Sequence, residues 1–357
     1  MSTATQSKDG EVISFKEELP SSQVPDIPTW SENYCWTGYD YQQRVGYWLH
    51  LGRWIEDPHI WREEVIIFLP EGTVLLRRSF GRSRMDNGVE GALLRFVCEE
   101  PGMRWRLQYK GPVQQATLEQ QMRGPLPHAT VLGLLDVDLE FTGNAPVWQF
   151  PDHDNTTIGR WHYEQHGKVT GKVRHDDNIY TFSGHGYRDH TRGPRELSPV
   201  NGHCWIQGRF PDGDAFSIYH LWHIEDGEDK EVLSIARVEH GGKTLEAKIV
   251  SSPRLRSHQT ALDIGKLVLQ LPDHSLMTLE CIPLTTLVMT MHGRNSHLMF
   301  GPMLGDTRWP VPLFEQPAIF TCGERRAEGW IERCYRRNDT VFDQASVDDI
   351  YASRASL

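Results

Sequence analysis

Gly184-His185-Gly186-Tyr187-Arg188-Asp189-His190-Thr191-Arg192-Gly193-Pro194-Arg195 packs an acid, several bases and two imidazoles between glycines in this 357-residue chain. Asp189 is a candidate general acid, because a carboxyl in a pocket of low dielectric keeps its proton near neutral pH. The stretch ends a segment that alternates like a strand. Ile179, Thr181, Ser183, His185, Tyr187 and Asp189 therefore share one face, and Tyr180, Phe182 and two glycines take the other. His185 and Tyr187, on the face of Asp189, are placed to relay protons or orient water. The simpler role for Asp189 is an Asp–Arg pair that pins a strand end.

A second polar strand, Trp161-His162-Tyr163-Glu164-Gln165-His166, puts Tyr163 and Gln165 on one face and Glu164 on the other. Pointing inward, Tyr163 and Gln165 would bond a ligand or hold Asp189; pointing outward, they are ordinary strand surface. Other chemistries find less support. Among 17 histidines, His220 and His223 have a helical spacing, yet Ala215–Ile224 alternates as a strand and sends them to opposite faces, so no metal site is read there. No Gly-x-Ser-x-Gly elbow, Gly-x-Gly-x-x-Gly turn or phosphate loop is present, which argues against a serine nucleophile on such an elbow and against a nucleotide cofactor. His203-Cys204 is the one place where a cysteine adjoins a histidine, and a buried thiol is its simpler role. Late in the chain, Glu315-Gln316-Pro317 and Gly329-Trp330-Ile331-Glu332-Arg333 mix polar and aromatic residues, with Glu332 read as inter-strand pairing.

What positions these residues is a long series of short β-type runs. Val65–Leu69, Val74–Phe80, Ala92–Cys98, Trp105–Tyr109 and Val131–Phe141 come first. Trp161–Val173, Ile179–Tyr187, Cys204–Phe210, Ala215–Ile224, Val232–Val238, Leu245–Val250, Leu262–Leu271, Met277–Met291 and Trp330–Tyr335 follow. Strands at such intervals, broken by Gly, Pro, Asp and Asn, predict an all-β protein of barrels or sandwiches. Only Leu118–Met122 and Val341–Ala352, capped by Asp339 or Thr340, read as helical. Residues 1–28 read as a flexible polar arm, 29–155 as a first β domain, 156–340 as a second one carrying the motif, and 341–357 as a helix or tail. The aromatic-rich stretch from Trp30 to Trp61 reads first as core anchors at one end of a barrel, and alternatively as the lining of an apolar cavity.

Composition narrows the partners. A net charge of −11 argues against nucleic acid and anionic membranes, both of which reward clustered Lys and Arg. No run approaches a membrane span and no apolar leader opens the sequence. Six scattered cysteines without a Cys-x-x-Cys pair read as reduced thiols of a cytoplasmic protein.

The segment Gly184–Gly193 resembles the glycine-tyrosine-basic-aspartate-histidine-polar-tryptophan-glycine signature of the hydroxyneurosporene synthase (carotenoid hydratase) and AttH-like superfamily. Tyr163-Glu164-Gln165 and the late Glu315-Gln316-Pro317…Glu332-Arg333 look like the matching strands of its bacterial relatives. This resemblance implies two lipocalin-like barrels in tandem and cofactor-free acid catalysis on greasy substrates, with the signature aspartate falling on Asp189. Arg192 stands where the signature has tryptophan. The expectation is a hydratase, dehydratase or cyclase for a terpenoid- or steroid-like molecule. Asp189 would be the proton donor, His185 and Tyr187 would assist, and Tyr163, Gln165, Arg188, His190, Arg192 and Trp222 would surround the substrate. The alternative is a non-catalytic carrier of a hydrophobic ligand; a metal-dependent hydrolase built from scattered His and Asp is a third reading.

Overall fold

Alternation of apolar and polar residues dominates the chain, and a strand that buries one face must close on itself or be covered. The computed structural model describes residues 14–27, 30–54, 57–117, 120, 132–150, 159–195, 200–226, 228–256, 260–292, 297–300 and 311–335. Its described residues are all-β apart from a short helix α1 (Phe15–Glu18) and the helical Gln120. The first sheet contains β1 (Trp30–Asp40), β2 (Val45–Arg53), β3 (Ile60–Phe68), β4 (Thr73–Arg82), β5 (Gly88–Glu90), β6 (Leu94–Glu100), β7 (Arg104–Thr117), β8 (Leu132–Gly143), β9 (Trp148–Gln149), β10 (Trp161–His175) and β11 (Asn178–Pro194). Its strands run in the order β4-β3-β2-β1-β11-β10-β8-β7, and β7 pairs back onto β4, closing an eight-stranded barrel.

The second sheet holds β12 (Gly202–Arg209), β13 (Ala215–Glu225), β14 (Glu228–His240), β15 (Lys243–Ser251), β16 (Gly265–Gln270), β17 (Leu276–Pro283), β18 (Leu287–His292), β19 (His297–Phe300), β20 (Val311–Cys322) and β21 (Arg325–Tyr335). The order β17-β16-β15-β14-β13-β12-β21-β20 closes through a β17–β20 pairing into another ring of eight. The all-β expectation of two barrels is met.

Alternate residues of the first ring fill its interior, among them Trp36, Tyr47, Trp61, Phe96, Trp105, Leu107, Phe141, Val169 and Phe182. Barrels of this size are packed by their own side chains. The motif glycine Gly186 faces inward, where an added Cβ would lie 2.4 Å from Val169. Gly167, its partner across β10–β11, would meet the Phe141 ring at 2.2 Å. These glycines let large rings lie flat on the wall.

Several expectations need correction. The chain divides into one compact unit of residues 1–116 and 129–196 and another of 117–128 and 197–357, so the expected boundary between 155 and 156 falls inside the first. β10 and β11 supply wall strands of the first barrel, and β11 pairs with β1, so the motif belongs to the first unit. The polar stretch 152–157 falls between β9 and β10 of one sheet. The aromatic segment from Trp30 forms barrel strands β1 and β2, nearly all buried. Residues 14–27 are not a free arm, since α1 delivers Glu18 to a site where it is 0 % exposed. Met277–Met291, read as one strand, is two. The predicted helix Val341–Ala352 lies outside the described residues, and of Leu118–Met122 only Gln120 is described.

Candidate functional site

The β10–β11 pairing sets Glu164 opposite Asp189, His166 opposite Tyr187, and His162 opposite Thr191. Since Val169, Val173 and Phe182 belong to the barrel core, the alternation turns these three pairs to the outer surface of the wall. His185, Tyr187 and Asp189 do share one face, as the sequence implies. That face is outside the barrel, yet much of it is buried: Glu164 is 0 % exposed, Tyr187 2 %, His162 and His166 4 % each, while His185 and Asp189 are half-buried.

A hydrogen-bonded chain runs across it. The Tyr187 hydroxyl donates to Glu164 Oε2, and His162 Nε2 lies 3.0 Å from Glu164 Oε1. Burial pushes His162 down to about 4, with Arg195 adding to the shift and Asp189 opposing it. The ring is therefore neutral at pH 7, and its Nε2–H donates to Glu164. Its bare Nδ1 then accepts from the Thr191 hydroxyl at 2.6 Å. His166 Nδ1 and His185 Nε2 are 3.1 Å apart, so one ring donates to the other. Two carboxylates, a neutral imidazole, a phenol and a histidine pair thus sit on one patch of wall. Glu164 was missed as a site residue; only the cross-strand register reveals it.

The residues expected around a substrate split away from Asp189. Tyr163, Gln165, Arg188 and His190 face the barrel interior, on the opposite side of the wall. Arg188, 1 % exposed, donates from Nη2 to Glu18 Oε1 at 2.8 Å and from Nη1 to Glu18 Oε2 at 2.9 Å. Its Nε reaches Gln165 Oε1 at 2.9 Å and Nη1 the Tyr163 oxygen at 2.7 Å. Glu18 also accepts from Tyr163 OH at 2.9 Å and from the Gly102 amide at 2.8 Å. Burial works against the Glu18 carboxylate, but the charge and hydrogen bonds of Arg188 outweigh it and lower its pKa. Above the guanidinium, at 4.9–5.7 Å, lie the rings of Tyr163, Trp36 and Trp105.

Beside this pair Glu32, 0 % exposed, binds Arg53 and Arg192 at 2.8 Å each and His190 Nε2 at 3.1 Å. Against the opposing effect of burial, the hydrogen bond from His190 and the neighbouring charges hold Glu32 at about 2. Arg192, in the signature's tryptophan position, stacks on Trp161 at 4.6 Å while it closes this end. Trp222 belongs to the second unit, inside its core, beneath the Arg254 guanidinium at 4.8 Å.

The second unit carries polar groups of its own. Arg333, 3 % exposed, bonds Gln316 Oε1 at 2.6 Å and the carbonyls of Ala261 (2.6 Å) and Pro253 (3.2 Å). Trp330 Nε1 donates to Glu315 at 2.7 Å. His203 pairs with Cys334, not with adjacent Cys204: its Nδ1 lies 3.0 Å from Cys334 Sγ and its Nε2 2.7 Å from Glu332 Oε1. Burial opposes charge on that ring, but Cys334 and Glu332 outweigh it and raise His203 to about 10. Among the described residues no group of three or more His, Cys, Asp or Glu could hold a metal ion, and no helix is long and apolar enough to cross a membrane.

Comparisons with known proteins give the fold a setting. The DUF7064 family, a domain of unknown function, matches residues 16–309, a span that includes Glu18. The crystal structure of an AttH-type protein from Nitrosomonas europaea superposes with a TM-score of 0.56 at 15% identity, covering 89% of this chain and 98% of that one. CghA, solved alone and with Sch210972, superposes with a TM-score of 0.51 at 10% identity, covering 88% of this chain and 90% of its own. No curated protein sequence matches.

Proposed function

Since the chain belongs to the DUF7064 family, a name that carries no activity, we propose its function from the outer β10–β11 face: cofactor-independent acid–base catalysis on a hydrophobic, terpenoid- or steroid-like molecule. The carrying observation is the placement of Asp189 directly across the ladder from Glu164, in a patch where Glu164 accepts from Tyr187 and from neutral His162. Like charges directly opposite on paired strands destabilise each other, so the pair is suited to hold one proton between two carboxylates, an acid beside a base. Asp189 gives its proton to a double bond, or to the oxygen of an allylic alcohol that departs as water, leaving a carbocation. Water then adds while Glu164 takes its proton, or an internal double bond closes a ring and Glu164 takes a proton from the carbon beside the new cation. His185 and Tyr187 return a proton to Asp189. Such a cation needs a dry, π-rich surrounding. Further support comes from the fold shared with CghA and the AttH-type protein. Its partner would be that apolar substrate, and with no disulfide among its six cysteines we place it in the cytoplasm.

The test is native mass spectrometry of the protein incubated with a lipophilic extract of its host. Wild type is expected to capture an apolar compound and change it by the mass of water or by isomerisation. Asp189→Asn should capture the same compound and convert it roughly 10²–10⁴-fold more slowly, the usual contribution of a general acid. Equal conversion by both sinks the assignment of Asp189. Capture without conversion by either leaves a carrier.

A further inference from the structure

The polar interior of the first barrel is separate from the proposed catalytic face, on the other side of the wall. Every contact that Glu18 makes there through its side chain is one that any carboxylate could make: a two-pronged pair with Arg188, the Tyr163 hydroxyl and the Gly102 amide. Glu18 does not come from the barrel wall. It comes from the segment ahead of β1, in a turn of helix set by a capping box. Ser14 accepts at its carbonyl from Glu17 and Glu18, and the Glu17 carboxylate reaches back to the Ser14 amide at 2.9 Å and its hydroxyl at 2.8 Å.

What holds this segment to the barrel, apart from Glu18 itself, is mostly backbone. Tyr34 OH donates to the Glu18 carbonyl at 2.9 Å. Arg192 Nη2 donates to the carbonyls of Glu17 (2.6 Å) and Leu19. Arg53 Nη2 bonds the Ser21 carbonyl at 2.9 Å, and Glu32 accepts from the Ser21 amide at 3.0 Å. Next to Glu18, the Leu19 side chain packs against the barrel core. Together they present a carboxylate joined to a branched aliphatic body.

Two further observations separate an occupant from a structural necessity. The second barrel buries Arg333 on Gln316 and two carbonyls, and the exposed Asp263 acts on it only through its charge, so this architecture folds around an arginine that no buried carboxylate grips. Around Arg188, by contrast, buried polar atoms remain without a hydrogen-bond partner: Trp36 Nε1, Trp105 Nε1 and His190 Nδ1. Those residues are 0 % exposed, and the two indoles face the guanidinium at 5.3 and 5.7 Å. Unpartnered buried donors and acceptors are rare, and here they gather round a site built for an anion.

We propose that the interior of the first barrel is a binding pocket for an organic carboxylate with a compact apolar body, and that residues 14–21 are its resident competitor. An incoming ligand replaces the Glu18 carboxylate on Arg188 and the Leu19 side chain on the core. The charge of the pocket is unchanged by the exchange, and only the segment is released.

Isocaproate, a carboxylate on a branched aliphatic chain, is the probe, with isocaproamide as its neutral control. In the full-length wild type, isocaproate is expected to raise amide hydrogen exchange across residues 14–21 saturably, while isocaproamide does nothing. By calorimetry, Glu18→Ala should bind isocaproate at least tenfold tighter than wild type, because the internal competitor is gone. Adding Arg188→Met to Glu18→Ala should abolish that binding. Should Glu18→Ala fail to fold, Glu18→Gln keeps the side-chain volume and carries the same expectation. Binding equal in wild type and variant, binding that survives loss of Arg188, or no effect of isocaproate on exchange in residues 14–21 overturns the proposal. None of these readouts touches Asp189, so this proposal and the catalytic one fail separately.

Discussion

Each of the two barrels buries an arginine on its last strand against a glutamine on the strand before, yet they satisfy its donors by different means. In the first, Arg188 and Gln165 are joined by Glu18 from outside the wall. In the second, Arg333 and Gln316 are joined by the carbonyls of Pro253 and Ala261, in the connection from β15 to β16. On the outer faces the parallel continues: Glu164 accepts from Tyr187, and Glu315 from Trp330. The same strand pair, a Glu-Gln dipeptide facing an aromatic and an arginine, has been fitted once with an ion pair and once with neutral acceptors. The difference teaches that the arginine belongs to the architecture and the carboxylate to the occupant. A fully buried ion pair is stabilising only while both partners are present, whereas carbonyl acceptors cannot leave without the backbone.

The largest expected effect follows from that contrast. Arg188→Met strands the Glu18 carboxylate in a dry interior and should lower stability by about 3–5 kcal/mol. Arg333→Met leaves only neutral carbonyls and an amide unmet and should cost about 1–3 kcal/mol. Urea unfolding, followed by hydrogen exchange in β10–β11 and in β20–β21 separately, reads both. Equal losses in the two variants would break the comparison. A double change, Glu18→Gln with Arg188→Met, should recover part of the first loss, because the uncompensated charge is gone.

A smaller effect separates the barrels by pH. In the first unit four groups that titrate in acid are depressed: His162 to about 4, His190 to about 3, Glu32 and Glu64 to about 2, in each case with burial the largest contribution. For the histidines burial is also the cause of the depression; for the carboxylates it is overcome by paired cations and hydrogen bonds. Between about pH 6.5 and the folded values the unfolded chain takes up protons that the folded barrel refuses, so stability falls as pH falls. His203 in the second unit is raised to about 10 by Cys334 and Glu332 against burial. Its contribution is complete below about pH 6.5 and is lost as pH rises through 10, at about 1.4 kcal/mol per unit. Hydrogen exchange at the two pH extremes should show β10–β11 opening first in acid and β12–β21 in alkali. His203→Gln should flatten the alkaline limb and leave the acid one. A common pH response in both barrels would erase the distinction.

How far the sequence reaches is clear from particular residues. Strand alternation correctly put His185, Tyr187 and Asp189 on one face, because a two-residue period needs no tertiary information. It could not say which face was inside, since Gly184 and Gly186 hide the apolar side: Gly184 lies against the Tyr39 backbone, and Gly186 makes room for Val169, Tyr47 and Phe141, whose identity as partners depends on register. The same omission grouped Arg188 and His190 with Asp189, although they lie on the opposite face of the wall. Glu18 reads from the sequence as part of a polar arm because its partner lies 170 positions away. A local signal was available in the capping box Ser14-Phe15-Lys16-Glu17, which marks the start of a helix. The division at Glu196 was obscured for another reason, since a closed barrel completes its ring with distant strands and leaves no compositional step in the chain.

The finest test asks whether the outer faces differ as the inner ones do. Tyr187→Phe and Trp330→Phe each remove a donor from a buried glutamate, Glu164 or Glu315. A hydrogen bond to a charged acceptor contributes about 1.5–3 kcal/mol, and both variants should lose stability on that scale, Trp330→Phe somewhat more because the smaller ring also leaves a gap. Their effects on turnover should diverge. If Glu164 is the base of the proposed reaction, Tyr187→Phe lowers kcat and shifts the pH–rate profile, since the proton relay to Asp189 loses a member. Trp330→Phe leaves kcat and its pH profile unchanged at temperatures where both variants remain folded. Parallel losses of kcat in the two variants would mean that Tyr187 acts through stability alone, and the outer face of the first barrel would then be no more catalytic than that of the second.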